Sequence, residues 1–437
     1  MGMALLIVSL CLIGYPLFVT GYYLAFDSGL RSAGPSKFAY SLHRSVSRCI
    51  PEYADARIAS GVAKTLSPSQ ITATESPVYG AFFYLLATAN LEAAWERDHS
   101  LADVSPADTG AKAIEASLRL MLDEGHAHWV KEYWGDDYLS EPNCFYRMLM
   151  VGSLTAHHEL TGETEHLPLL RRIVDDLAAD IDASSHGLVD DYPGQCFPCD
   201  VAVAISMILR ADKALGTDRK EWARTAFRRM MGNFGDQTPP YTADAQTGWP
   251  ILATRGCTNG FFFSHARDID PVMADVLYQK YAGDFWQEKS GIAGWREFPK
   301  WGAVPSWYFD PDSGPVIDGF GTGATGLGLG AARVHNDHER AGKLGAEMLV
   351  SAVPMPNGRL LLPWLVSDRV HAPYFAEITI LHQLSLLPVS SPQKSPRTAL
   401  PAVVWVVMLI EALLFVGMFR LGWKLLFKRK ASPAAPR

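Results

Sequence analysis

The sequence is short of charge, and its body holds no dense run of one sign. Of 437 residues only 19% are charged while 48% are hydrophobic, and the formal net charge is −7. A nucleic-acid binder needs a basic face, and no Lys/Arg run interleaved with aromatics supplies one, so no nucleic-acid partner is expected. There is no Walker loop, and the glycines of GFGTGATGLGLG (319–330) have the wrong spacing for phosphate and no strand before them. Close helix packing accounts for them better. HExxH and GxSxG are absent, which removes two common hydrolase signatures. The histidines form no evident ligand set: His157 and His158 are adjacent and cannot share a helix face, and His126 and His128 flank a loop. No metal and no cofactor is expected. There are six cysteines, far below the density of a disulfide-stapled domain. Alternating apolar and polar residues are scarce, so no strand is predicted.

Long apolar runs are present at both ends. Residues 4–26 carry no charge and are long enough for a hydrocarbon core of roughly 30 Å. A cleaved signal peptide fits less well, because no Lys or Arg precedes the run. A second span is predicted at 401–419, within a C-terminal segment 391–420, and it is interrupted by Glu411. An acid at that depth is costly, so Glu411 is expected to face a helix partner or to snorkel. The tail 421–437 is basic, with Lys424, Lys428, Arg429, Lys430 and Arg437, and Arg420 just ahead of it, against only Lys394 and Arg397 before the span. This asymmetry puts the tail in the cytoplasm and residues 27–400 on the other side, periplasmic or extracellular. Arg31, Lys37, Arg44, Arg48 and Arg57 pull the other way.

Between the spans, residues 27–75 read as a connecting arm with one or two helices. From 76 to about 390 the helical period dominates. Helices are predicted at 77–97, 108–125, 142–161, 164–182, 200–215, 219–233, 257–267, 271–283, 322–334, 337–351 and 373–386. Short polar links such as 161–166 alternate with long Gly/Pro/aromatic loops at 126–141, 183–199, 234–256 and 284–321. That alternation predicts an all-α fold: an (α/α)6-type toroid of helical hairpins flanked by the two transmembrane helices. Such a barrel gathers its long loops over a central cavity.

The densest collection of reactive side chains lies in VDDYPGQCFPCDVAVA (189–204). Asp190 and Asp191 end a long loop, and Tyr192 adds a phenol. Asp200 is placed to N-cap the helix that follows. Cys199 sits at that helix start, where a thiolate is favoured and its pKa lowered. Cys196 and Cys199 read either as a local disulfide or as inert buried thiols.

Residues 133–215 resemble the core of the linalool dehydratase–isomerase family, α/α-toroid enzymes that act on a monoterpene alcohol. The resemblance runs through Trp134-Gly135-Asp136, Asn143-Cys-Phe-Tyr146-Arg147, Leu160-Thr-Gly162 and DDYPGQCFPCDVAVA. It extends to DIDPVMADVLYQKY (268–281), to the stretch 321–351 and to the aromatic helix Pro77–Tyr84. The resemblance implies that Cys199 is a catalytic cysteine and that Tyr79 meets a substrate hydroxyl. It implies substrate contacts from Phe145, Tyr146, Tyr192 and Cys196. A second family cysteine falls on Asp190 here, and a family histidine falls on Leu149. An Asp190/Cys199 pair would then move the protons.

Three functions follow as expectations. The first is a membrane-anchored lyase or isomerase working by acid–base chemistry on a small apolar, terpenoid-type alcohol. The second is a carbohydrate-active enzyme using paired acids, Asp310 and Asp312 or Asp190 and Asp191, beneath loop tryptophans. The third is an inactive envelope scaffold. Assembly into a homo-oligomer is left open by the sequence.

Overall fold

A computed structural model describes residues 1–302, 305–388 and 398–427. The chain is mostly helical with a few short strands. Helices α1 (Gly2–Ser9) and α2 (Tyr15–Phe26) are joined by a π-helical turn, Leu10–Gly14. Then come α3 (Lys37–Ser47), α4 (Ile50–Ser60), α5 (Ile71–Arg97), α6 (Pro106–Leu122), α7 (His128–Trp134) and α8 (Cys144–Thr161). They are followed by α9 (Leu167–Ala183), α10 (Pro198–Leu215), α11 (Lys220–Gly232), α12 (Gly256–Ile269) and α13 (Pro271–Phe285). The last five are α14 (Thr322–Val334), α15 (His338–Ala352), α16 (Leu361–Val366), α17 (Phe375–Ser385) and α18 (Ala402–Phe427).

Six helices carry the body. α5 packs on α8, α8 on α10, α10 on α12, α12 on α14, α14 on α17, and α17 returns to α5. Each also has a partner: α6 on α5, α9 on α8, α11 on α10, α13 on α12, α15 on α14 and α3 on α17. Local chemistry fixes the ends. Pro106, Pro198 and Pro271 open their helices, where a missing N–H costs nothing. Ser105 and Asp270 cap the amides of Asp108 and Met273. Gly162 and Gly216 close α8 and α10 in the left-handed conformation.

Helix α5 departs from expectation at its start. It was predicted from Pro77 but begins at Ile71, with Pro77 inside. A proline at 77 cannot donate to the carbonyl of Ala73. Arg57 takes that carbonyl instead, with its Nη2 donating at 2.8 Å. The extra turns bring Glu75 onto the helix, four residues before Tyr79.

The stretch 27–75, expected as a connecting arm, does hold two helices, but they are built into the body. α3 buries Phe38, Leu42 and Val46 against α6 and α17. Fully buried Arg333 of α14 ties down the chain before α3 by donating to the carbonyls of Gly29, Ser32 and Gly34, and it also donates to that of Leu386 after α17.

Strands were not predicted, and the described ones are short hairpins within the long loops. β1 (Thr242–Ala243) pairs with β2 (Pro250–Leu252), and β3 (Trp286–Lys289) with β4 (Ile292–Trp295). β5 (Trp307–Asp310), β6 (Gly314–Ile317) and β7 (Phe320–Gly321) form a three-stranded antiparallel sheet.

Two helices, Gly2–Phe26 and Ala402–Phe427, are long and apolar enough to cross a membrane. They pack antiparallel: Gly2 lies against Gly422 and Leu426, and Gly14 against the Phe415 ring. The second runs past the predicted 419, so Arg420 and Lys424 ride on it. Lys394, Arg397, Lys428, Arg429, Lys430 and Arg437 lie outside the described residues. One carboxyl oxygen of Glu411 is buried with no hydrogen-bond partner among the described residues.

Candidate active site

The loop before α10 folds back on itself. The amides of Asp191 and Tyr192 both donate to the Gln195 carbonyl. Asp190 closes the turn, its Oδ2 accepting from the Gly194 amide at 2.9 Å, with Gly194 at φ 76°. Asp200 does not cap α10, as had been expected. Phe197 holds the capping position, and Asp191 Oδ2 accepts from its amide at 2.6 Å. Pro198 takes the first helical position, so Asp200 is left free to turn inward beside Cys199.

This rearranges the expected pair. The acid against Cys199 is Asp200, whose Oδ1 accepts from Sγ at 3.5 Å, while Asp190 is engaged by the turn. The expectation of a thiolate is also corrected. Burial, with the charges of Asp200 and Asp191 behind it, pushes the Cys199 thiol well up, so it keeps its proton. A helix start does not rescue an anion that is dry and faces two acids. All six cysteines are free, so no disulfide joins Cys196 to Cys199. Cys196 is fully buried, and its carbonyl accepts from the Ala243 amide at 2.9 Å.

Around Asp200 the starts of several helices bring together groups far apart in sequence. Burial above all, with the carboxyls of Asp200, Asp312 and Glu75 nearby, raises the phenol of Tyr79 of α5 well beyond the ordinary value. Tyr192 Oη donates to Glu75 Oε1 at 2.7 Å. Tyr241 Oη donates to Asp312. Glu75, Tyr79, Tyr192 and Asp200 each keep part of their surface open although protein surrounds them, which we read as a shared recess. Aromatic rings form its walls. Tyr79 stacks on Phe83 at 4.5 Å and meets Phe145, Phe261 and Phe375 at 5.6, 5.8 and 6.1 Å.

The carboxyls here are held close to neutrality. Burial raises Glu75 to about 8 against the lowering pull of its Tyr192 bond. Burial likewise raises Asp200 to about 7, offset by the Cys199 contact and reinforced by Asp312. At the rim, burial also moves Asp312 up. Beside them Arg255 makes ion pairs with Glu297 and Asp310, both at 2.7 Å, and lies 4.5 Å over the Tyr241 ring. Asp310 stays below its usual value: bonds from Ser313 and Tyr308 and the Arg255 charge outweigh its burial. Cys257 Sγ donates to Glu297 Oε1 at 3.0 Å.

Of the residues singled out in the sequence, Cys199, Tyr79, Tyr192 and Phe145 gather at this recess. Tyr146 does not: it is buried between α8 and α6, its Oη donating to the Met121 carbonyl at 3.2 Å. Cys196 and Asp190 belong to the loop scaffold. Leu149 is fully buried in the core. Glu75, Tyr241, Arg255 and Glu297 were missed. For Glu75 the signal was its i, i+4 spacing from Tyr79, hidden by the proline between them.

Two features lie away from the recess. A cavity of about 620 Å³ opens at the opposite ends of the same helices, with Asn90, Ser206, Arg210, His265, Asp268 and His382 on its wall. Its chemistry is spent internally: Arg210 is clamped to Glu159, and burial holds both histidines neutral. His157, set aside in the sequence, meets Glu115 and Glu163 from other elements, at 3.0 and 4.0 Å. The three ligand atoms lie within 4.8 Å of one another, a spacing that could hold a metal ion.

Compared with known proteins, the chain matches no family model and no curated sequence.

Proposed function

We propose that this chain is a membrane-anchored acid–base enzyme, a lyase or isomerase that removes or shifts the hydroxyl of an apolar alcohol. The observation that carries this reading is the pair Glu75 and Asp200. Both are carboxyls raised to within about a unit of pH 7, and both act on the same tyrosine in an aromatic-walled recess. A group titrating near the working pH is the best proton donor and acceptor. Glu75, mostly protonated at neutrality, gives its proton to the leaving hydroxyl, and the C–O bond breaks with loss of water. Asp200 in its ionised form takes a proton from the neighbouring carbon, and the alkene forms. Exchange with solvent returns the two carboxyls to their starting states. Tyr79 and the protonated Cys199 orient the hydroxyl, and the aromatic walls hold the hydrocarbon and exclude water.

The closed circuit of six helices with partner helices supports an (α/α)6-type toroid, and with it the likeness to the linalool dehydratase–isomerase family. The antiparallel pairing of α1 and α18 supports a body on one side of the bilayer with both chain ends on the other. The basic residues near the C-terminus favour a cytoplasmic tail.

A second reading has one specific observation behind it. Asp310 and Asp312 are neighbours whose environments drive their pKa values apart, the pattern of a glycosidase acid and base. Asp310, however, is held by Arg255.

Purified full-length protein, offered terpenoid alcohols and oligosaccharides and followed by mass spectrometry, separates the two. Loss of water from an alcohol, abolished by both Glu75→Gln and Asp200→Asn, is the expected result. Turnover of an oligosaccharide, or alcohol turnover that survives both changes, overturns the proposal.

A further inference from the structure

One strand, β5, has the Arg255 cluster on one face and an exposed apolar surface on the other. Along β5 the side chains alternate as the pleat demands. Tyr308 and Asp310 point inward, where Arg255 pairs with Asp310 at 2.7 Å and lies 5.7 Å from the Tyr308 ring. Trp307 and Phe309 point outward and are 60% and 62% exposed. Ile317, paired directly with Trp307, adds a third apolar side chain at 56% exposure. Large apolar groups grouped on one face of a sheet need a reason, and packing among the described residues does not give one.

The position of this sheet supplies the reason. The turn between β6 and β7 is held to the β3–β4 hairpin: Lys289 Nζ meets Asp318 Oδ1 at 2.7 Å, and Gln287 Nε2 donates to the Asp318 carbonyl at 3.1 Å. Two residues further along, at the tight turn of that hairpin, its tip touches the start of α18. There the Val403 amide donates to the Gly291 carbonyl at 3.0 Å. The apolar face is therefore tied through one small hairpin to the point where an apolar spanning helix begins.

We infer that the outer face of the β5–β6 hairpin, formed by Trp307, Phe309 and Ile317, is a third contact with the membrane, seated in the lipid interface beside the two helices. Tryptophan is the residue that favours this zone, and the polar groups of Asp318 and Lys289 suit the headgroup level beside it. The inference rests on the membrane-anchored reading above and deepens it. Because the same strand carries Asp310 on its other face, docking sets the edge of the recess against the bilayer. A lipid-soluble alcohol then enters from the membrane rather than from water.

The test uses the full chain in lipid nanodiscs. Cys11 and Cys49 are changed to serine, the remaining cysteines being buried. A nitroxide is placed by Phe309→Cys or Ile317→Cys, both at exposed positions that do not threaten folding. Leu413→Cys in α18 gives the lipid reference. Ala179→Cys on α9, whose partners are α8 and α10, gives the water reference. The expected result is a several-fold higher ratio of dioxygen to nickel-chelate accessibility at 309 and 317 than at 179, approaching that at 413. Values at 309 and 317 equal to those at 179 overturn the inference while leaving the anchor intact. An aqueous reading at 413 as well overturns both. Immobilised labels with spin–spin broadening at 309 would identify a second copy of the chain as the occupant and overturn it too.

Discussion

If Glu75 is held protonated by its surroundings, its replacement by glutamine should change how stability depends on pH. Glutamine keeps the oxygen that accepts from Tyr192 and removes only the ionisation. Burial raises Glu75 from 4.5 to about 8. Between those values the unfolded chain has lost this proton while the folded chain keeps it, so stability falls as pH rises through the window. Below it both states are protonated and the group contributes nothing. Above about 8 the folded carboxyl ionises as well and the fall ends. At about 1.4 kcal/mol per pH unit, a window from 4.5 to about 8 gives a ceiling of about 5 kcal/mol. The side chain keeps part of its surface open, and water in the recess screens it, so about half that figure is expected. The assay is the thermal midpoint of the full chain in detergent, followed by tryptophan fluorescence at pH 5, 6.5 and 8. Wild type and Glu75→Gln should coincide at the acid end and separate toward pH 8, with the variant more stable. Glu297 titrates in both proteins and cancels in the difference, while Asp200, whose charge helps to raise Glu75, belongs to the same effect. Parallel curves across the whole range would refute the argument.

Three further outcomes can be checked. Gly328→Ala places a methyl 2.3 Å from the ring of fully buried Trp295, which is itself stacked on Tyr281 at 4.2 Å. A loss of about 1–3 kcal/mol in denaturant unfolding is expected, and an unchanged midpoint would count against this packing. Glu377 is fully buried and accepts from Arg359 Nε and from the Leu360 amide, at 2.7 Å in each case. Glu377→Ala strands the guanidinium and should cost about 3–5 kcal/mol by the same measurement. Cys199 should alkylate with iodoacetamide far more slowly at pH 8 than partly exposed Cys49, because little of it is thiolate. Faster reaction at Cys199, read by peptide mass spectrometry, would contradict the account of its surroundings.

Much of the helical framework was legible in the sequence, because apolar periodicity and end signals agree with the packing. The pattern at 322–334 coincides with α14, and prolines and glycines mark the ends of α6, α10 and α13. The errors have local physical causes. Pro77 read as a helix start because nothing in its vicinity announces that Arg57 will take the orphaned carbonyl. That one misplaced end hid Glu75. Asp200 read as a cap because the fold-back that lets Asp191 do the work depends on Gly194 and on a carbonyl at Gln195. The short hairpins went unseen because strands of two to four residues carry no period. The Cys199 environment was misjudged for a related reason: the helix start is visible in sequence, while Asp191 and Asp200 converging on a dry thiol is a product of tertiary structure.

The contact between α17 and α5 joins residues separated by almost the whole body of the chain. A ribosome must finish nearly everything before that seam can shut. Until then Phe83 of α5 and His382 of α17, whose rings stack at 4.5 Å in the finished fold, stay uncovered. Such late, distant pairing slows folding and leaves a greasy edge open to misassembly. The pairing of α1 with α18 has the same timing, since its second member is made after the whole body. A chain held by its first apolar helix while the remainder emerges would keep the unfinished edge near its own partner and away from its neighbours.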